Sequence, residues 1–341
     1  MAAEPKRHRI VLALGLVFLA PTVGEFLLGN VPISQYASVL VLAPLYGAGA
    51  LLVRETARRL GKGWPSMVLF AMAYALLEEG PVDQMVFNPD YLGLASFADF
   101  AEIPGLGISG TLVLYSLALH TVWSICVPIA LVEAFDPRPL EPWLRRTGYL
   151  STVGVFVAGC VLLGWAQADE LDFIGSAAQF LVSAVAIALL VVAGLRIRQP
   201  LLAPVSGDPP APLLVGLAAF TATSGYWLST DLPFDAGSSG MVQVLVFVAA
   251  GCLAVGLVLH WSRRTGWDGR HRVALAGGAT ATYALWFGPA QSGEAGTSTN
   301  EAILGALVFG LAAIVLVAAA YANQRQLSKQ PVLRRASAEP L

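Results

Sequence analysis

The sequence predicts an all-α protein, a polytopic transmembrane helical bundle, on three observations. Hydrophobic residues make up 56% of the 341-residue chain and charged residues only 12%, far from the balance of a soluble domain. Ten apolar runs approach the roughly 20 residues that cross a bilayer. The third observation is charge sorting: with ten spans and a cytoplasmic N-terminus, all 20 Lys and Arg fall on one side, the positive-inside distribution of a cell-membrane, multi-pass protein.

The runs are residues 10–28, 38–53, 64–79, 111–134, 149–167, 173–195, 213–229, 241–261, 273–289 and 302–321. The basic groups between them are Lys6, Arg7 and Arg9; Arg54, Arg58, Arg59 and Lys62; Arg138, Arg145 and Arg146; Arg196 and Arg198; Arg263, Arg264, Arg270 and Arg272; and Arg325, Lys329, Arg334 and Arg335. The opposite loops hold only acids: Asp83, Asp90, Asp99, Glu102, Asp169, Glu170, Asp172, Asp231, Asp235, Glu294 and Glu301. Adding or removing one span would scramble this partition, so both termini are expected in the cytoplasm. The first run follows "KRHR" as a secretory signal would, but no A-x-A site follows, and Pro21 and Glu25 sit where cleavage would fall; it is read as a retained helix. The third run is short and can continue through Gly80-Pro81 as a kinked helix.

This divides the chain into a cytoplasmic tail (1–9), spans 1–6 (10–196), a Pro/Gly-rich cytoplasmic linker (197–212), spans 7–10 (213–325) and a disordered cytoplasmic tail (326–341). Residues 80–110 form a long outer loop without a basic residue, either a plain connector or a lid or re-entrant piece over a site. No repeat relates the first five spans to the last five, and the glutamates of span 3 have no counterpart in span 8. Cys126, Cys160 and Cys252 lie within spans and read as packing residues. There is no phosphate-binding Gly loop, G-x-S-x-G or H-E-x-x-H, and no soluble domain to bind nucleic acid.

Ionisable residues inside spans are functional candidates, because placing one there costs a few kcal/mol. Glu25 lies toward the outer end of span 1, Glu78 and Glu79 toward the outer end of span 3, and His120 about 14 Å into span 4 at the usual helical rise. Ser116, His120 and Ser124 share one helix face, with Trp123 beside them; Glu79 and Asp83 share a face if span 3 passes Pro81. Adjacent carboxylates repel where water is scarce, so one would hold a proton and could serve in acid–base chemistry. Glu78, Glu79 and His120 are the candidate catalytic residues. Glu25, Asp83, Asn88, Ser116, Trp123 and Ser124 are candidates for substrate or proton binding. Each has a plainer alternative: Glu25 can reach the interface, His120 can brace a neighbouring helix as a neutral ring, and Glu78-Glu79 can sit among headgroups if helix 3 stops at Gly80. No cofactor is required by any motif, although Glu78, Glu79 and His120 could hold a divalent metal.

The pair Glu78-Glu79 ending one membrane helix, with His120 in the next, resembles the CAAX-protease and bacteriocin-processing (Abi) family of intramembrane proteases. Its pattern is E-E-x-x-x-R, then F-x-x-x-H, then H-x-x-x-N/D. The resemblance implies a glutamate that activates water beside histidines within a helical bundle, acting on a membrane-embedded peptide. Here Asp83 stands at the Arg position and Ser116 at the Phe position. The only later candidate, His260, is followed by Arg264 and lies at the opposite membrane face. Three functions remain open: an intramembrane hydrolase, a proton-coupled transporter of a small solute that would add Thr221, Thr223, Tyr226, Thr280 and Tyr283 to the site, and a scaffold or partner subunit in which the polar residues bind helices together.

Overall fold

The computed structural model describes residues 4–91, 101–198, 200–229, 239–294 and 297–329. They form ten helical rods that coincide with the ten apolar runs: α1 (4–27), α2 (33–59), α3 (64–82), α4 (110–133), α5 (Arg146–Leu171), α6 (Ala177–Arg196), α7 (Pro212–Leu228), α8 (Ser239–Ser262), α9 (269–294) and α10 (Thr299–Leu327). Seven of these, all but α3, α7 and α9, are long and apolar enough to cross a membrane on that basis alone. Glu78-Glu79 interrupts α3, α7 has 17 residues, and Arg270, His271 and Arg272 begin α9.

Burial separates a centre from a periphery. In its most apolar stretch α4 is 61% buried and α5 only 6%, so α4 is surrounded by protein while α5 is a lipid-facing rod. Two apolar cores share α1 and α4. Leu12, Leu16, Ile125 and Ile129 face α2 and α3, whereas Phe26, Leu27, Trp123 and Val127 face α7, α9 and α10. Close helix approach depends on glycine: a Cβ on Gly47 would lie 2.0 Å from the Val17 carbonyl oxygen, and one on Gly278 2.2 Å from that of Gly216.

Within these rods the described residues contain five π-helical stretches: Thr22–Leu27, Ala43–Gly47, Glu78–Val82, His120–Cys126 and Tyr283–Phe287. Each has a proline inside it or within two residues: Pro21, Pro44, Pro81, Pro128 and Pro289. Proline lacks the N–H that would bond the carbonyl four residues back, and a widened turn is one way to re-form the ladder. At Pro81 this is explicit, because the Asp83 N–H donates to the Glu78 carbonyl, five residues back, at 2.6 Å. Helix 3 therefore does not stop at Gly80; it passes Pro81 and ends at Val82.

The basic end of the bundle differs from expectation in one respect. Arg54 and Arg58, read as loop residues, lie inside α2 at 0% and 4% exposure. The Arg54 guanidinium donates to Glu133 at 2.9 Å, to Glu55 at 2.6 Å and to the carbonyls of Pro139 and Glu141, and it sits 3.5 Å from the Trp143 ring centroid. Arg58 donates to both oxygens of Glu133, and Glu55 accepts the backbone N–H groups of Trp143 and Leu144. This network clamps the α4–α5 connection onto α2. The 197–212 segment is also tied down, since the Val205 N–H donates to Arg263 and the Val205 carbonyl accepts from Thr265.

At the other end, the described part of the 80–110 loop is a turn followed by an antiparallel pair, β1 (Glu102–Ile103) and β2 (Ile108–Ser109); no re-entrant helix occurs among its described residues. Residues 92–100 of that loop and 330–341 of the expected disordered tail lie outside the described residues, while 326–327 still belong to α10.

Replacing Glu133 by Ala would leave two buried guanidiniums short of counter-charge, so Glu133→Ala is expected to destabilise the detergent-solubilised protein by about 3–5 kcal/mol in denaturant unfolding. A second prediction concerns Asp268, which caps α9. Burial raises its carboxyl pKa, but hydrogen bonds from His271 and Arg270 outweigh burial and hold it down at about 2. A depressed acid contributes stability above its unfolded value, near 4, and loses it as pH falls through its folded value. The stability difference between wild type and Asp268→Asn should therefore be constant above about pH 5 and shrink between about pH 4 and 2.

Candidate functional site

Four of the five π-helical stretches deliver the polar side chains of the site. Thr22–Leu27 carries Glu25, Ala43–Gly47 carries Tyr46, Glu78–Val82 carries both glutamates, and His120–Cys126 carries His120 and Ser124. Such bulges recur at functional sites because the wide turn re-aims side chains. Gly24 makes room for the assembly: a Cβ there would lie 2.8 Å from the Ser124 hydroxyl and 3.2 Å from the Tyr46 ring.

His120 is the hub. Its Nε2 lies 2.6 Å from Glu79 Oε1, and its Nδ1 lies 2.7 Å from Glu78 Oε2 and 3.0 Å from the Ser124 hydroxyl. The Nδ1 direction suits Ser124 better than Glu78, whose Oε2 makes no aligned hydrogen bond; Glu78 meets the ring as a charge contact. Both carboxylates and the ring are buried, at 4%, 9% and 2% exposure. Glu79 Oε2 is also buried and has no hydrogen-bond partner among the described residues.

Polar groups extend from this hub in two directions. On one side the Tyr46 ring centroid is 5.9 Å from that of His120, and its hydroxyl donates to Glu25 Oε1 at 2.5 Å. On the other, one turn beyond Glu79, Asp83 Oδ2 accepts from the Tyr91 hydroxyl at 2.9 Å, and Gln167 donates to Tyr91 at 3.0 Å. Four carboxyl groups thus accompany one imidazole. Unpaired charge is costly away from water, so a buried set with more acidic than basic groups is expensive to hold.

The structure brings together Glu78, Glu79, His120 and Ser124, with Glu25 attached through Tyr46 and Asp83 one helical turn beyond Glu79. The glutamates are buried in protein, and α3 continues past them to Val82. Ser116 is buried with no hydrogen-bond partner among the described residues. Trp123 does not join the site: its indole N–H donates to the Ala279 carbonyl at 2.9 Å and its ring stacks on Tyr283 at 4.6 Å. Helical spacing misplaced it because the widened turn from His120 to Cys126 rotates Trp123 toward α9. Asn88 lies in the turn after α3, where its Oδ1 accepts from the Asp90 N–H.

Of the residues suggested for a transporter, Thr223 bonds Thr282, Tyr226 bonds the Leu114 carbonyl and Thr280 bonds the Ala276 carbonyl. Thr221 is exposed and Tyr283 is buried; none of the five hydrogen-bonds a site carboxylate. The metal option fails on geometry. Glu78 and Glu79 approach opposite ring nitrogens, so they do not converge with one nitrogen on a common point, and no group of three metal-ligating side chains occurs among the described residues.

Tyr46, Tyr91 and Gln167 were not singled out from sequence. Tyrosine in an apolar run is ordinary packing, and nothing local marks these as partners. For Tyr46 the available signal was Pro44, two residues before it in α2; Gln167 lies in α5, which has no proline.

No curated protein and no solved structure matches the chain. A family model matches residues 14–323, nearly the whole length. With its apolar rods and this match, the chain is a multi-pass integral membrane protein and belongs to an uncharacterized membrane protein family.

Proposed function

We propose that the protein is an intramembrane hydrolase centred on Glu78, His120 and Glu79. The observation that carries this reading is a buried imidazole contacted at both nitrogens by carboxylates from the neighbouring helix, at 2.7 and 2.6 Å. Hydrogen-bond contact between acid–base partners is the geometric requirement for proton transfer in catalysis. Glu79 is the base: its side chain is the least buried of the three, 11% exposed against 5% for Glu78 and 3% for His120, and its buried Oε2 has no hydrogen-bond partner among the described residues.

A water at Oε2 gives a proton to Glu79 as its oxygen adds to a substrate carbonyl carbon. The bond to the leaving nitrogen or oxygen then breaks, and the same proton passes to the leaving group, returning Glu79 to its starting state. His120 offsets the charge of Glu79 before the attack and after the proton has left, and Glu78 with Ser124 fixes the ring. A glutamate that activates water beside histidine is also what the resemblance to the CAAX-protease and bacteriocin-processing family implies.

A proton-coupled transporter is the second reading. It is favoured by the Glu25–Tyr46 and Asp83–Tyr91–Gln167 arms, which carry titratable groups farther than hydrolysis needs. The two readings separate in one reconstituted system. Wild type, Glu79→Gln and His120→Ala, placed in liposomes, are incubated with native-host membrane extract. Products are followed by mass spectrometry and internal pH by an entrapped dye. The hydrolase predicts products whose formation falls about 10²–10⁴-fold in both variants, with no Glu79-dependent proton entry. Equal products from all three proteins would overturn it, and Glu79-dependent acidification would establish the second reading.

A further inference from the structure

A cavity of about 420 Å³ opens beside the turn that follows α3. It lies within the range of small-ligand sites. Its apolar walls include Val86, Phe87, Leu112 and Phe173, and its rim includes Asn88 and Glu102. The wall and the candidate base belong to one segment, since the Val86 N–H donates to the backbone carbonyl of Glu79 at 3.3 Å.

The turn is built to hold that wall in place. Gln84 adopts φ 65°, a left-handed conformation costly for a residue with a side chain. The Gly175 N–H holds it there, donating to Gln84 Oε1 at 2.7 Å. Gly175 itself has no room for a side chain, because a Cβ would lie 2.8 Å from the Phe87 ring.

The polar groups around the cavity are satisfied, with one exception. Gln179 accepts from the Ser176 N–H and donates to the Gly107 carbonyl, and Ser109 accepts from the Leu112 N–H. Asn88 is only 7% exposed. Its Oδ1 is taken by the Asp90 N–H at 3.0 Å, which fixes the amide orientation. Its Nδ2 makes no hydrogen bond among the described residues and is not sealed from solvent, so this amide donor is free to meet a ligand acceptor at the cavity. Glu102 is the only charged residue in the lining among the described residues, so an anionic acceptor is disfavoured.

From these groups we infer that the cavity binds the substrate, as an uncharged carbonyl, amide or ester, on an apolar chain, with the carbonyl oxygen accepting from Asn88 Nδ2. The inference rests on the hydrolase reading for its word substrate, but the binding itself does not need Glu79. Apolar walls hold the chain, the amide holds the carbonyl, and the turn carries the bound group beside the helix that bears the base. A lipid ester and a membrane peptide offer the same chemistry.

The test uses the full chain in nanodiscs, with acetyl-trileucine amide and monolaurin as neutral probes and laurate at pH 8 as the anion, each corrected for empty nanodiscs. At least one neutral probe should bind wild type and Glu79→Gln alike, and laurate should bind at least about tenfold more weakly. Asn88→Asp keeps the Asp90 cap but removes the donor, and Leu112→Trp fills the cavity; each should weaken the neutral probe at least about tenfold. The neutral probe that binds identifies the source of the carbonyl. Absence of binding by both neutral probes, unchanged binding in the two variants, or laurate binding as tight as monolaurin would overturn the inference. Failure of the hydrolase alone would leave binding intact and abolish only the Glu79-dependent products.

Discussion

Charge placed where water cannot reach it is the condition the rest of this structure answers to. A lone buried ion costs several kcal/mol even after relaxation, and only well-aligned partners offset that. The protein meets the condition twice, by opposite means. At the basic end two guanidiniums are shared among Glu55, Glu133 and backbone carbonyls, and every donor of Arg54 that reaches an acceptor does so in a fixed direction. At the acidic end the carboxylates outnumber the single imidazole, and an oxygen of Glu79 is left without a partner among the described residues. The first arrangement is closed and rigidifies the connection between α4 and α5. The second is incomplete, and incompleteness in a buried polar network is what chemistry or proton exchange requires.

The rods and the core of the site were legible in the sequence because both rest on strong, local energetics. Apolar run length fixed where helices lie, and the expense of an ionisable group in a span pointed to Glu78, Glu79 and His120. Three features were not legible, each for a physical reason. The burial of Arg54 and Arg58 depends on Glu133, some eighty residues away. The turning of Trp123 toward α9 depends on a widened helical turn that a fixed helical period cannot represent. The Tyr46 and Tyr91 partnerships depend on tertiary approach, which residue type does not encode.

The two ends also differ in what a substitution would reveal. Removing one member of the Arg54–Glu133–Arg58 set strands a charge and harms the whole molecule. The Glu79 arm is attached to a turn held by Gln84 and Gly175, whose Val86 and Phe87 pack in a small separate core with Ile108 and Leu112.

The prolines beside the widened turns carry a meaning beyond side-chain aim. Four of these turns meet around His120, and the fifth touches them through the Trp123–Tyr283 stack. The regular hydrogen-bond ladders of five separate helices are thus interrupted where those helices converge. The layer that holds the carboxylates and the imidazole is therefore also the layer at which four of these ladders change pitch, so the placing of the polar groups and the bending of their helices share one origin in the sequence.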